Sequence, residues 1–189
     1  MFIRSVDEGL ERFLRAGLPL PADVGDVSFD APNGTWAAQL SRLTVNLYLY
    51  GVGRSHHPSR SPMQRTGPRG TPEQRRPQPM VELDYLVSAW AGTPRDEHQL
   101  LGDVVSLIAA HEQLAPELLA APLSSSVVLS FGEDQHNRPR EVWSALGGSL
   151  KASFTLQVSV AADSFEWTDP APAVARVVAL ASPMPRTER

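Results

Sequence analysis

Between residues 150 and 160 the chain alternates without a break. Leu150, Ala152, Phe154, Leu156, Val158 and Val160 are apolar, and Lys151, Ser153, Thr155, Gln157 and Ser159 are polar. Period-two alternation belongs to a strand, because successive side chains there point to opposite faces of the sheet. Such a stretch must lie in a sheet with one face covered and the other open to water or a partner. Two more segments read the same way. Leu43, Val45, Leu47 and Leu49 alternate with Thr44, Asn46, Tyr48 and Tyr50. Val81, Leu83, Tyr85 and Val87 alternate with Glu82, Asp84, Leu86 and Ser88, giving a strand to about Ala91. Residues 126–131 are a further strand candidate. A short strand over 26–30 is expected to turn Val27 and Phe29 inward.

Helical periodicity appears in three places. Val6, Leu10, Phe13 and Leu14 share one face of a helix expected over 3–16, stopped by Gly17 and Pro19. Thr93-Pro94-Arg95-Asp96 opens a second helix: Thr93 suits the cap, Pro94 the first turn, and Asp96 the positive helix end. Its expected apolar face is wide, comprising Leu100, Leu101, Val104, Leu107, Ile108 and Leu114, so the sheet should largely cover it. Arg138-Pro139-Arg140 starts a short helix that turns Val142, Trp143 and Leu146 inward and ends at Gly147-Gly148. The pattern predicts an α+β fold, a single domain with a mixed, partly antiparallel β-sheet and two or three helices covering one face. The domain is expected over residues 1–165. Residues 166–189 are read as a C-terminal tail, an edge strand (174–181) or a partner-binding arm.

Composition narrows the function. A chain of 189 residues holds one domain with a real core. A net charge of -4 disfavours general nucleic-acid binding, which needs a basic surface. The absence of cysteine excludes disulfides, thiolate zinc sites and cysteine nucleophiles. The N-terminal residues mix acids with apolar positions, unlike a signal peptide, and no apolar run is long enough for a membrane span. A cytoplasmic location is the simplest expectation.

Residues 51–79 change character. They carry Pro58, Pro62, Pro68, Pro72, Pro77 and Pro79, and Arg54, Arg60, Arg65, Arg69, Arg75 and Arg76 against the single acid Glu73. No pattern in this stretch buries a core, so a disordered Arg/Pro-rich insertion is expected. Three readings stay open: a solvated insertion without a partner, an arm docking on an acidic protein surface, and a nucleic-acid-binding segment whose arginines contact phosphate. The lack of an aromatic residue in the stretch counts against stacking on bases. Tyr48 and Tyr50, on the polar face of their strand, are a candidate partner interface together with these arginines.

No constellation points to catalysis, metal or a cofactor. His98 and His111 are too far apart for a helical metal pair, and Glu97-His98 lacks the second histidine of a zinc-protease motif. Ser124-Ser125-Ser126 lacks a nucleophile elbow, and Asp134 and His136 lie nearby in sequence, which alone does not make a triad. Gly51-Val52-Gly53 lacks the third glycine and the following helix of a phosphate loop. Glu82 and Asp84 share a strand face and are expected toward solvent or another subunit.

Four pieces of sequence, in this order, carry a family resemblance. They are Ser5-Val6-Asp7-Glu8-Gly9-Leu10; Val45-Asn46-Leu47-Tyr48-Leu49-Tyr50 before the Arg/Pro stretch; Val81 to Trp90 leading into Asp96-Glu97-His98-Gln99-Leu100-Leu101-Gly102; and Val142-Trp143-Ser144-Ala145-Leu146-Gly147-Gly148 leading into Lys151-Ala152-Ser153-Phe154-Thr155-Leu156. Over residues 3–161 the chain resembles the N-terminal domain family of tail-terminator, or cap, proteins of extracellular contractile injection systems. That resemblance implies a terminator fold and a non-enzymatic structural subunit. It also implies a homohexameric ring on the particle, with inner tube and sheath subunits as partners, and no catalytic residues. An assembly chaperone or adaptor for tube and sheath subunits is the alternative.

Overall fold

A computed structural model of the chain describes residues 2–21, 23–59, 62–132 and 139–170. In chain order the elements are α1 (Phe2–Gly17), β1 (Gly25–Ser28), α2 (Gly34–Ala37), β2 (Leu43–Arg54), β3 (Met63–Thr66), β4 (Pro72–Arg75), β5 (Met80–Trp90), α3 (Pro94–Ala109), β6 (Gln113–Leu114), β7 (Val127–Phe131), α4 (Pro139–Ala145) and β8 (Ser153–Ala161). Six strands form one sheet in the order β1-β2-β5-β8-β7-β6, and β3 and β4 form a separate hairpin. Among the described residues, only the β1–β2 pairing of the large sheet is parallel, and its other pairings are antiparallel. The fold is therefore α+β with a mixed sheet, as the periodicities imply.

The first face of the sheet holds the main core. Val45, Leu47, Leu83, Tyr85, Val87, Leu156, Val158 and Val160 lie beneath α1 and α3. Helix α1 contributes Val6, Leu10, Phe13 and Leu14, and α3 contributes Leu100, Val104 and Ile108. Each large side chain so buried is worth about 1.5–3 kcal/mol relative to exposure. Thr93 caps α3 by accepting from the Asp96 N–H, and Pro94 occupies the first turn. The face of α3 is narrower than its sequence suggests. Leu101 and Leu107 are only half-buried, and Leu114 lies in β6, because the helix ends at Ala109.

The second face corrects the expectation of helices on one side only. Asn33 accepts from the Trp36 N–H at 2.9 Å and starts the single turn of α2. Helix α4 buries Trp143 to 1% exposure. Trp36 and Trp143 both pack on Trp90, at 5.2 and 6.2 Å between ring centroids. The Trp143 indole donates to the Ser153 hydroxyl at 3.0 Å, and Lys151 lies over the Trp90 ring at 4.3 Å. This aromatic layer covers the Ser88–Trp90 end of the sheet. Polar residues under it or beside it, including Thr44, Asn46, Ser88 and Thr155, are consequently buried rather than wet. The terminal strand is shorter than its alternation: pairing begins at Ser153, and Leu150 is 61% exposed.

An ionisable pair, Asp7 and Tyr85, lies against the core. The Tyr85 hydroxyl donates to Asp7 at 2.7 Å, and Tyr85 has no exposed surface. Burial holds the Asp7 carboxyl above the ordinary carboxylate range, outweighing the stabilising hydrogen bond from Tyr85. Burial and the Asp7 charge likewise push the Tyr85 hydroxyl far above the usual phenol range. A carboxyl whose pKa is raised by folding binds its proton more tightly in the native state, so stability falls as pH rises from its unfolded pKa through its folded one. Asp7→Asn keeps an oxygen for Tyr85 and removes the desolvated charge. It should raise the melting temperature at neutral pH and flatten the pH dependence of the melt above about pH 4. An unchanged pH slope in thermal melts of the variant would show that Asp7 is not the group responsible.

Candidate partner-binding surface

The stretch expected to be wholly disordered contains ordered structure. Strand β2 runs on to Arg54, and residues 63–75 form the β3–β4 hairpin. Its turn is closed by the Gly70 N–H on the Gly67 carbonyl at 2.9 Å, with Gly70 at a φ of 76°. Glycine suits that left-handed position because it has no Cβ to clash. The hairpin was hidden in the sequence for a physical reason: β3 is exposed at every position, so no apolar alternation marks it.

The structure divides the arginines into two groups. Arg65 pairs with Glu73 at 2.8 Å and stacks on Trp167 at 4.2 Å. Arg75 reaches Asp163 at 3.5 Å and donates to the Phe165 carbonyl. These two are spent on internal contacts. Arg54, Arg69 and Arg76 are exposed. Arg60, like Asp134, His136 and the 174–181 segment, lies outside the described residues.

The two tyrosines are not equivalent surface aromatics. A β-bulge sets Leu49 opposite Tyr85 and Gly51 opposite Asp84, which leaves Tyr50 as the extra residue. A bulge re-aims a side chain in this way. Tyr50 reaches across β5 to share a 2.9 Å hydrogen bond with Thr155 on β8. Gly51 makes room, since a Cβ there would come within 2.8 Å of the Asp84 carboxylate. Burial, with the neighbouring Asp84 charge, pushes the Tyr50 hydroxyl above the usual phenol range. Tyr48 is also half-buried. Tyr50 thus ties three strands together, and the pair offers only its outer edges to a partner.

Several other polar residues make contacts within the domain. Glu97 accepts from the Lys151 ammonium and from the Ala91 N–H. The His111 ring bonds the Leu107 carbonyl at 2.8 Å and packs edge-on to Phe13. Ser124 bonds Asp163, and Ser125 accepts from the Ala161 N–H at 2.8 Å. An open groove of about 450 Å³ beside Trp90 includes Glu97, His98 and Lys151, but its lysine is already paired. Among the described residues no three histidine, cysteine, aspartate or glutamate side chains gather as a metal site. No helix among them is long and apolar enough to cross a membrane.

The α+β fold, a mixed six-stranded sheet with helices, is shared with terminators of contractile injection particles. One similar structure is the sheath/tube terminator of an extracellular contractile injection system, PVC, in its extended state. It has a TM-score of 0.62 and 18% identity, covering 95% of this chain and 64% of that one. Another is the tube-terminating cap of the anti-feeding prophage, with a TM-score of 0.60 and 17% identity, covering 92% of this chain and 60% of that one. The chain therefore spans less than two thirds of the length of either. No curated protein matches it in sequence. The chain belongs to the Pvc16 N-terminal domain family, which it matches over residues 5–176. That match extends past residue 161, where the resemblance in the sequence fades.

Proposed function

We propose that the chain is a structural, non-enzymatic cap of a contractile phage-tail-like injection particle, closing the inner tube and sheath at the end distal to the baseplate. Its membership of the Pvc16 N-terminal domain family carries this reading, and the fold it shares with two terminators supports it. A tube grows by adding identical rings, and a subunit complementary to the last ring on one face only would stop that growth. No chemistry is required. In a six-membered ring each weak contact is repeated by symmetry, so modest complementarity suffices. The exposed Arg54, Arg69 and Arg76, with Arg60 nearby in sequence, supply positive charge for an acidic tube or sheath surface. The outer edges of Tyr48 and Tyr50 are the remaining contact. Assembly would take place in the cytoplasm, before any release of the particle.

Purified particles test the reading. A cap remains at about six copies per particle, and an antibody against it labels one end. An assembly chaperone would be absent from finished particles, and that result would replace the cap with the adaptor.

A further inference from the structure

The β3–β4 hairpin has too little of its own to stay folded. It consists of two four-residue strands with mostly exposed side chains, and an isolated two-stranded hairpin is marginal in water. Support comes from the far end of the chain. After β8 the backbone turns at Asp163, which has a φ of 48°. Its carboxylate accepts from the Ser124 hydroxyl and N–H, and it pairs with Arg75. The Gln78 side-chain amide, only 5% exposed, then grips Phe165 from both sides, donating to its carbonyl and accepting from its N–H at 3.0 Å each. Thr168 exchanges two backbone hydrogen bonds of 2.8 Å with Gln74, a single rung of a third strand beside β4. Between these anchors Trp167 lies under the guanidinium groups of Arg65 and Arg75, at 4.2 and 5.9 Å.

We infer that residues 163–168 are a strap that holds the arginine hairpin in its folded position, so that the order of the hairpin and the attachment of the chain leading to Thr168 form one coupled equilibrium. The anchors are unequal. Those at Asp163 and Phe165 are half-buried, whereas the rung at Thr168 is exposed. The distal end is thus the part that opens first. Coupling of this kind is reciprocal: a partner that favours the attached strap also orders the hairpin, and one that pulls the strap away frees Arg65 and Arg75. The inference rests on contacts within the chain and stands whether or not the chain is a cap.

Hydrogen exchange of the full-length protein tests it with two variants. Trp167→Ala removes the ring between the arginines, while Trp167→Phe keeps an aromatic face for them. In the alanine variant the β3 and β4 amides should exchange about three- to tenfold faster, the scale of one or two cation–π contacts, with β5 and β8 unaffected. The phenylalanine variant should recover most of the protection. Equal hairpin exchange in wild type and alanine variant would overturn the strap. So would an acceleration that spreads equally through β5 and β8, because Trp167 would then support the whole domain and not the hairpin.

Discussion

Trp143→Ala should destabilise the protein by about 3–5 kcal/mol, the range for emptying a buried tryptophan site. Trp143 is 1% exposed and is the largest fully buried side chain described. Its loss has three parts. The indole volume disappears from beneath α4, whose main inward residue it is. Trp90 loses the ring packed against it at 6.2 Å. Ser153 loses the 3.0 Å hydrogen bond that joins α4 to the first residue of β8. A domain of this size is stable by about 5–15 kcal/mol in total, so the variant would keep only a fraction of its margin. Trp143→Phe restores most of the volume but not the donor and should fall well short of the alanine loss. Urea unfolding of the three proteins measures the series. A loss under about 1 kcal/mol for the alanine variant would mean that the second face of the sheet is not packed as described.

Leu10→Ala is the second large effect, on the opposite face. Leu10 is 1% exposed at the centre of the α1 stripe, with Val6 and Leu14 one turn to either side. The neighbouring surface of α1 cannot simply sink into the gap. A Cβ added at Gly9 would already lie 2.7 Å from a Leu114 methyl carbon, so the helix is seated closely on β6. The cavity therefore stays largely open, and the cost should fall at about 2–5 kcal/mol. Leu150→Ala provides the contrast. Its position in the alternating run reads as core, yet Leu150 is 61% exposed, and the change should stay within about 0.5 kcal/mol. Equal losses at the two leucines would contradict the assignment of the strand start to Ser153.

The contrast between those leucines also shows how far periodicity reaches. Alternation marks strands whose two faces differ in burial, so β5, β8 and the first part of β2 were legible, as was the amphipathic α1. It overshoots where no turn residue marks the start of a strand, as between Leu150 and Ser153, and it cannot register the bulge that makes Tyr50 an internal tie. The Asn33 cap before Trp36 was a signal for α2, but a one-turn helix has no period to confirm it. The hairpin lay beyond such reasoning altogether. Its strands bury little, and the contacts that hold it come from Asp163, Phe165, Trp167 and Thr168, about 90 residues away in sequence. The candidate surface suffered for the same reason: Arg65 and Arg75 look identical to Arg69 and Arg76 until the strap is in place.

The most direct test of the cap assignment is the length distribution of particles in electron micrographs of cells lacking this gene. Overlong or open-ended tubes and sheaths are expected, restored to uniform length when the gene is returned. Particles of normal length with a closed distal end in its absence would contradict the assignment.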